Sequence, residues 1–274
     1  MRFKEFAATT TKVSEIGMGT YYDPAWIATA FIGWKRGAKS KVEAIRKGLD
    51  SGITLIDTAE IYGSERLVAE AVRERKRDDI FLASKVWSSH LHRDSVTRAF
   101  NKSLKRLGTS YIDLYQVHFP NSRVPILETM QAMEGLVREG KLKHVGVSNF
   151  SLAQIKEAQA ALPRTELSSV QLAYSLVHRD VEAEILPFCD RERIALLAYY
   201  PLGHGQLPKE SGLDGVARVH GRSRSPVALR WLADKRVVFP IPRASRSAHV
   251  AENAGASDWD LSSQETQQLN SLFS

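Results

Sequence analysis

Short apolar stretches alternate along the chain with longer amphipathic stretches. Apolar runs with the length of a buried strand occur at residues 16–19, 54–57, 80–85, 112–118, 144–148, 169–173, 195–200 and 237–241. Between them, apolar positions recur with helical spacing at residues 41–51, 64–75, 94–107, 126–139, 152–161, 182–193 and 226–233. Strands that alternate with helices in this way predict a parallel sheet whose faces are covered by helices.

The regularity of this repeat favours a closed barrel over an open sheet. No low-complexity linker interrupts it, and no Gly-x-Gly-x-x-Gly follows an early strand, as an open dinucleotide-binding sheet would require. We therefore predict an α/β fold, a (β/α)8 TIM barrel that forms a single domain over residues 1–274. A short hairpin, from residues 2–6 and 12–13, is predicted before the barrel, and two extra helices, at residues 247–256 and 262–272, after it.

Local signals mark several helix ends. Gly52, Gly108 and Gly140 stand where a helix terminates in a left-handed residue. Ser225 is followed by a proline, which predicts a helix start there, and residues 261–265 contain the serine and glutamate of a capping box. These signals agree with the helix spacing of the apolar positions.

Composition and charge narrow the function classes. The chain is 43% hydrophobic and 25% charged, as in ordinary globular proteins, and its net charge is +7. The basic clusters are scattered and lack interleaved aromatic residues, which favours solvated helix ends, or attraction for a phosphorylated ligand, over nucleic-acid binding. The N-terminus has no apolar signal segment and no apolar run is long enough to cross a bilayer, so we expect a cytoplasmic protein without a membrane partner.

Disulfide and metal chemistry are not expected. Cys189 is the single cysteine, so an internal disulfide is excluded. His90 and His92 form a possible ligand pair near Asp94, but neighbouring loop histidines without a cysteine partner make a poor metal site. We predict no bound metal.

Ionisable residues follow the predicted strands at the ends where active sites of barrels are built. Asp57, Lys85 and His118 each end a predicted strand, and Tyr62 follows the first of them after a short loop. A tyrosine can act as an acid if a neighbouring ammonium lowers its pKa, while a carboxylate holds the ammonium and a neutral imidazole orients the substrate. Together these four residues predict a catalytic site.

Each of the four has a structural alternative when taken alone. Asp57 could cap a helix, Tyr62 could be a loop aromatic, and Lys85 could reach the surface along its apolar stem. His118 could be a structural histidine. Their joint position at strand ends is what favours catalysis.

Residues 52–65, from Gly-Ile-Thr-Leu-Ile-Asp-Thr-Ala-Glu to Ile-Tyr-Gly-Ser-Glu, resemble the first signature of the aldo-keto reductase family. The resemblance continues, in family order, through residues 83–87, 111–118, 146–150, 170–171, 198–203 and 241–253. It implies a (β/α)8 barrel that binds NAD(P)H in an extended form and reduces a carbonyl group to an alcohol. By this resemblance Tyr62 is the general acid, Lys85 lowers its pKa, Asp57 pairs with Lys85, and His118 orients the carbonyl or relays a proton.

The resemblance also assigns residues to the ligands. The substrate, a small carbonyl compound, is expected against aromatic residues and the catalytic histidine, namely Tyr21, Tyr22, Trp87, His118 and Phe119, with Trp26 either joining them or packing under a loop. The nicotinamide and pyrophosphate of the cofactor are expected near Gly19, Thr20, Asp57, Ser148, Asn149, Gln171, Tyr199, Leu202, Gly203 and Gly205.

The adenosine end is assigned to a stretch after the last strand. Its residues are Arg243, Ser245, Arg246, His249, Glu252 and Asn253. The planar, permanently charged Arg243 suits the 2′-phosphate of NADP(H), which makes NADP(H) the expected cofactor. Ala244 and His249 depart from the family pattern, so use of NAD(H) as well stays open.

Two other functions stay open at this level. Lys85 could instead form a Schiff base with a carbonyl substrate in a lyase or aldolase. A catalytically weak relative could sense the nucleotide without useful turnover. The oligomeric state is not predicted by the sequence, and a monomer is the default expectation.

Overall fold

The computed structural model describes residues 1–31, 37–205, 207 and 212–272. It begins with an antiparallel hairpin of β1 (Phe3–Glu5) and β2 (Lys12–Ser14), as predicted. An eight-stranded parallel sheet follows, in which each strand pairs with the next strand along the chain. Its strands are β3 (Met18–Gly19), β4 (Leu55–Asp57), β5 (Phe81–Val86), β6 (Ile112–Val117), β7 (Leu142–Ser148), β8 (Leu167–Ala173), β9 (Ala195–Tyr199) and β10 (Val238–Pro240).

The sheet closes between its first and last strands. Gly17 N–H donates to the Pro240 carbonyl over 2.9 Å, and Gly19 N–H donates to the Pro242 carbonyl over 3.1 Å. Gly19 also forms a parallel bridge with Arg243. A Cβ atom at Gly19 would lie 3.0 Å from the Ile241 carbonyl oxygen, so this close approach favours glycine. The predicted (β/α)8 barrel is thereby confirmed.

Helices cover the outside of the barrel. They are α1 (Pro24–Phe31), α2 (Ala38–Asp50), α3 (Glu65–Val72), α4 (Arg93–Leu107), α5 (Ile126–Arg138), α6 (Leu152–Ala160), α7 (Ile185–Glu192), α8 (Leu213–Val219), α9 (Arg224–Ala233), α10 (Ser247–Ala254) and α11 (Ser263–Leu272). Each of the predicted helices is present, with ends that differ by a few residues. The prediction overlooked α1 and α8. For α1 a start signal existed, because the Asp23 carboxylate accepts the Trp26 N–H over 2.7 Å and a proline begins the helix.

Most of the helix ends that the sequence predicts are present in the structure. Gly52, Gly108 and Gly140 have φ angles of 86°, 65° and 70°, in the left-handed region. The predicted capping box at α11 is present, since Glu265 N–H donates to the Ser262 hydroxyl over 3.2 Å and Ser262 N–H donates to the Glu265 carboxylate over 2.8 Å. The predicted start of α9 at Ser225 is wrong, because Ser223 is the residue that precedes the helix.

The barrel interior is filled by apolar side chains from alternate strand positions. They form one cluster that consists of Phe6, Val13, Leu55, Phe81, Ala83, Leu114, Ala195, Leu197, Phe239 and Ile241. The hairpin closes the end of the barrel at which the strands begin, because the Phe6 ring packs 4.6 Å from that of Phe81 and 5.6 Å from that of Phe239. The end of the barrel at which the strands finish carries polar residues. Among the described residues, no helix is both long and apolar enough to cross a membrane.

Candidate active site

Strand alternation carries polar side chains into the barrel above its apolar core. Leu55 and Ala83 belong to the interior cluster, and two positions further along the same strands come Asp57 and Lys85. Lys85 is fully buried, and its Nζ donates to Asp57 Oδ1 over 2.8 Å, to Asp57 Oδ2 over 2.6 Å and to the Thr58 carbonyl over 2.9 Å. With every ammonium proton engaged in this way, the geometry does not favour Lys85 as a Schiff-base nucleophile.

Tyr62 and His118 meet beside this ion pair. Tyr62 ends a 3₁₀ turn (Glu60–Tyr62), and His118 directly follows β6. The Tyr62 hydroxyl lies 3.3 Å from His118 Nε2, and the Lys85 ammonium lies 4.9 Å from the centre of the Tyr62 ring. The structure thus brings together the four residues for which the sequence predicts catalysis.

The burial of Tyr62 sets its protonation state. Burial raises the pKa of Tyr62 well above its ordinary value, and the negative charge of Asp57 raises it further. That Lys85 lowers this pKa stays a prediction, since burial is the largest cause of the net upward shift. Tyr62 therefore keeps its proton at neutral pH, as a proton donor must.

His118 is uncharged at neutral pH. Burial lowers its pKa to about 3, and the Lys85 charge acts in the same direction. Burial also lowers the pKa of Lys85, which Asp57 opposes by stabilising the ammonium. A neutral imidazole is the form that the sequence interpretation required for orienting a carbonyl group.

The buried histidines predict a pH dependence of stability. Burial lowers the pKa of His144 to about 4, so both His118 and His144 bind protons more readily in the unfolded chain. Stability should therefore fall as the pH drops below about 6.5, by roughly 1.4 kcal/mol per pH unit for each histidine. Urea denaturation between pH 7 and pH 4 measures this slope. His118→Gln and His144→Phe should each reduce it, and an unchanged slope in both variants would contradict the prediction.

The aromatic residues expected around the substrate fall into two groups. The Tyr21 ring lies 5.2 Å from that of Tyr62, and the Trp87 ring lies 5.2 Å from that of His118. Phe119, 40% exposed, stacks on His118 with 5.2 Å between ring centres. These three surround the Tyr62–His118 pair.

Tyr22 and Trp26 form the other group and lie in the core. Tyr22 is 1% exposed and packs edge-on against Trp26. Lys41 lies over both rings, at 5.0 and 4.4 Å. Both residues are therefore buried in the core, and they are not among the accessible rings around the Tyr62–His118 pair.

The residues expected at the nicotinamide amide form a hydrogen-bonded cluster. Gln171 Nε2 donates to Asp57 Oδ1 over 2.9 Å, and the Ser148 hydroxyl donates to the Gln171 carbonyl over 2.9 Å. Asn149 donates to the His118 carbonyl and accepts the Tyr199 hydroxyl over 2.8 Å. The cluster therefore connects the ends of β7, β8 and β9 directly to the catalytic residues.

The expected pyrophosphate region lies partly at the barrel seam and partly on the loop after β9. Gly19 and Thr20 are buried at the seam, where the Thr20 hydroxyl donates to the Asp57 carbonyl over 2.9 Å. On the loop, Leu202 is half-buried, and Gly203 and Gly205 have left-handed φ angles of 58° and 79°. A side chain at Gly203 would strike Val177, with 2.5 Å between its Cβ and Val177 Cγ2.

The expected adenosine region surrounds the start of α10. Arg243, Arg246 and His249 are exposed, whereas Ser245 is half-buried. Asn253 is buried, and Glu252 accepts a hydrogen bond from Ser223. Two exposed guanidinium groups beside a helix N-terminus can attract a phosphate.

Several polar residues of the site were missed from the sequence. The Ser64 hydroxyl lies 2.9 Å from that of Thr20 and 3.0 Å from that of Thr58, so it supports the loops after β3 and β4. Glu60 accepts the Trp87 N–H and approaches His90 Nδ1 over 3.0 Å. Thr58 and Glu60 lie inside the sequence signature of residues 52–65, which also contains Asp57 and Tyr62. Their place in that signature could have identified them as residues of the site.

The chain matches the model of the family described as "Aldo/keto reductase family" over residues 15–273. It is 35% identical to methylglyoxal reductase YeaE of Escherichia coli (strain K12), covering 86% of this chain and 85% of that protein. It is 32% identical to the glyoxal reductase of Bacillus subtilis (strain 168), covering 84% of this chain and 82% of that protein.

Solved structures of aldo-keto reductases are also similar to this chain in fold. The thermostable aldo-keto reductase Tm1743, solved with the inhibitor epalrestat, superposes with a TM-score of 0.90 at 34% identity, covering 99% of this chain and 100% of that one. An aldo/keto reductase from Klebsiella pneumoniae, solved with NADP and acetate, gives a TM-score of 0.88 at 34% identity, covering 100% of this chain and 96% of that one.

Proposed function

This chain belongs to the aldo/keto reductase family, and from that premise we propose that it reduces aldehydes and ketones to alcohols with NADPH. One observation carries the proposal. The Tyr62 hydroxyl lies 3.3 Å from a neutral His118, beside the buried Lys85–Asp57 pair, at the carboxyl end of the barrel. A proton donor, a neutral hydrogen-bonding ring and a fixed cation are the groups that a carbonyl oxygen needs as it gains charge.

In this proposal, residues of the chain itself donate the proton and stabilise the charge that its transfer leaves. Negative charge grows on the carbonyl oxygen, and the Tyr62 hydroxyl transfers its proton there. The raised pKa of Tyr62 keeps the proton in place until an alkoxide, a much stronger base, develops. The Lys85 ammonium, 4.9 Å from the ring centre, then stabilises the phenolate. His118 Nε2 orients the carbonyl oxygen toward Tyr62.

The residues at the rim fit a dinucleotide. Among the described residues, nothing lies within 4 Å of the Cβ position of Gly205. Tyr199 is half-buried beside the polar cluster of Ser148, Asn149 and Gln171. The exposed Arg243 and Arg246 supply charge for the phosphates at the adenosine end. When bound, NADPH supplies the hydride to the carbonyl carbon.

Arg243 should discriminate between the two dinucleotides. Arg243→Ala should weaken NADPH binding about 10- to 100-fold, the loss of one charge-assisted contact, and leave NADH binding nearly unchanged. Titration of protein fluorescence with each dinucleotide measures both affinities. Arg236→Ala, at the opposite end of the barrel before β10, is the matched control. Equal weakening for NADPH and NADH would contradict a contact with the 2′-phosphate, and similar wild-type affinities for the two dinucleotides would favour dual use.

Small α-dicarbonyls are the substrates to test first. Two relatives are named for methylglyoxal and glyoxal, and the aromatic wall of Tyr21, Trp87 and Phe119 bounds a site suited to small carbonyl compounds. NADPH absorbance should fall in the presence of methylglyoxal, glyoxal or simple aldehydes, with the alcohol as product. Tight NADPH binding without oxidation by any of a broad panel of aldehydes, ketones and aldoses would overturn the proposal in favour of a nucleotide sensor.

A further inference from the structure

A cavity outside the catalytic residues lies beside the candidate active site. Its volume of about 420 Å³ is that of a site for a small molecule, and its lining comes from the segments that follow β4 and β5 and from one face of α4. Trp87 is part of this lining, and its ring also lies 5.2 Å from that of His118 and 5.6 Å from that of Phe119. The cavity therefore shares one wall with the catalytic site, although Tyr62 and His118 are not part of its lining.

Three cations from one helix line this cavity. Arg98, Lys102 and Arg106 follow each other at intervals of four residues on α4, so they lie on the same face of the helix, about 6 Å apart along its axis. Like charges at this spacing repel each other. Within the described part of the chain, Arg106 alone of the three has a carboxylate partner, the buried Glu65. Arg98 donates there only to the Ser95 hydroxyl, over 2.9 Å, and Lys102 has neither a hydrogen bond nor an ion pair.

This row of cations fits a phosphate group. An anion between Arg98 and Lys102 would relieve their repulsion, and a guanidinium group forms paired hydrogen bonds with phosphate oxygens. Arg106 is already oriented, because Glu65 binds its Nε and its Nη2 donates to the Ser103 hydroxyl over 3.1 Å. Arg98 and Lys102 are both exposed, so a ligand can reach them from solvent.

The side of the cavity formed by Glu60 and Trp87 fits a hydroxylated group instead. Glu60 Oε1 accepts the Trp87 N–H and approaches His90 Nδ1 over 3.0 Å, whereas no described residue donates to Glu60 Oε2. That oxygen can accept a hydrogen bond from a ligand hydroxyl, and the Trp87 ring provides apolar surface for the carbon atoms of the ligand. Because the Glu60 carboxylate repels a phosphate, a ligand that satisfies both sides carries its phosphate at α4 and its hydroxyl groups toward Glu60.

We propose that this cavity is a second ligand site, which binds a small phosphate ester that carries hydroxyl groups, such as a phosphorylated polyol. The side chains of Arg98, Lys102 and Arg106 bind the phosphate, and Glu60 binds a hydroxyl group. The site goes beyond the proposed reductase function and does not depend on it, since Tyr62, Lys85 and His118 take no part in it.

Isothermal titration calorimetry with glycerol 3-phosphate in saturating NADPH tests this site. The ester has no carbonyl group to be reduced, and NADPH keeps it from the phosphate-binding region at Arg243. One ester should bind per chain, glycerol should not bind, and inorganic phosphate should bind more weakly because it lacks the hydroxyl group that reaches Glu60.

Substitutions on α4 locate the bound phosphate. Arg98→Gln and Lys102→Gln should each weaken binding of the ester about tenfold, the loss of one charge-assisted contact. Both variants should unfold at the wild-type temperature, because both side chains are exposed. Lys105→Gln is the matched control and should bind like the wild type, since Lys105 is an exposed cation of the same helix that does not line the cavity.

Four results would overturn the inference. They are no binding of the ester to the wild type, wild-type affinity in the double variant Arg98→Gln/Lys102→Gln, an equal loss of affinity in Lys105→Gln, and equal affinities for the ester and inorganic phosphate. The third would show a diffuse effect of the charge on α4, and the fourth would show that Glu60 does not bind the ligand. The proposed reductase function would stand in each case, because carbonyl-dependent NADPH oxidation tests it separately.

Discussion

Carbonyl-dependent NADPH oxidation should fall by about 10²- to 10⁴-fold in Tyr62→Phe, the usual contribution of a positioned general acid. The substitution removes only the hydroxyl that lies 3.3 Å from His118 Nε2, and it keeps the ring that packs against Tyr21. The loss should appear in kcat, because the proton transfer occurs in the chemical step and not in binding. Steady-state kinetics with methylglyoxal measure it.

Two controls separate chemistry from folding. NADPH should bind Tyr62→Phe with nearly the wild-type affinity, and the unfolding temperature should be unchanged or slightly higher. Tyr111→Phe is the matched variant, because the Tyr111 hydroxyl donates to Asp78 near the start of β6, at the opposite end of the barrel. If Tyr62→Phe turned over substrate at the rate of Tyr111→Phe, another group would have to be the proton donor.

Lys85→Met should strongly destabilise the folded protein. Removal of the ammonium leaves the Asp57 carboxylate buried, and within the described part of the chain Gln171 is its remaining side-chain donor. Breaking a buried ion pair in this way costs about 3–5 kcal/mol of unfolding free energy. Chemical denaturation measures the loss, and activity should be lost together with it because the cation near Tyr62 is gone.

The double variant Asp57→Asn/Lys85→Met tests whether Lys85→Met lowers stability because it leaves the Asp57 charge without its counter-ion. It removes both charges at nearly constant volume, so its stability should be higher than that of Lys85→Met alone. It should nevertheless remain inactive, since Tyr62 would still lack a cation. If the two substitutions destabilised the protein additively, the coupling between Asp57 and Lys85 would be too weak to support the proposed arrangement.

Local pattern was sufficient for most of the fold. Strands in this barrel are short and buried on both faces, so they appear as apolar runs that stand out from the amphipathic helices. The overlooked helices α1 and α8 illustrate the limit. α1 is apolar on most of its surface and α8 is only seven residues long, so neither gives a clear amphipathic period. Their starts depend on capping geometry and packing against neighbours.

The residues of the candidate site likewise differ in whether their position could be predicted from the sequence. Asp57, Lys85 and His118 could be placed from sequence, because strand alternation and the direction of parallel strands carry such residues to one end of a barrel. The position of Tyr22 could not, since Tyr21 and Tyr22 are adjacent in a loop. Packing alone decides that one ring faces Tyr62 and the other enters the core.

The order of strands and helices, the residues at the strand ends and the resemblance to the aldo-keto reductases all follow from the sequence, because they depend on local pattern. The charge states and the side-chain contacts depend instead on the folded arrangement. The pKa of Tyr62 is raised mainly because the hydroxyl is buried, and the nearby Asp57 charge raises it further; both causes are properties of burial and distance. The positive φ angles of Tyr200 and His204, 50° and 56°, likewise belong to the folded loop after β9, since no residue type specifies a strained φ angle on its own.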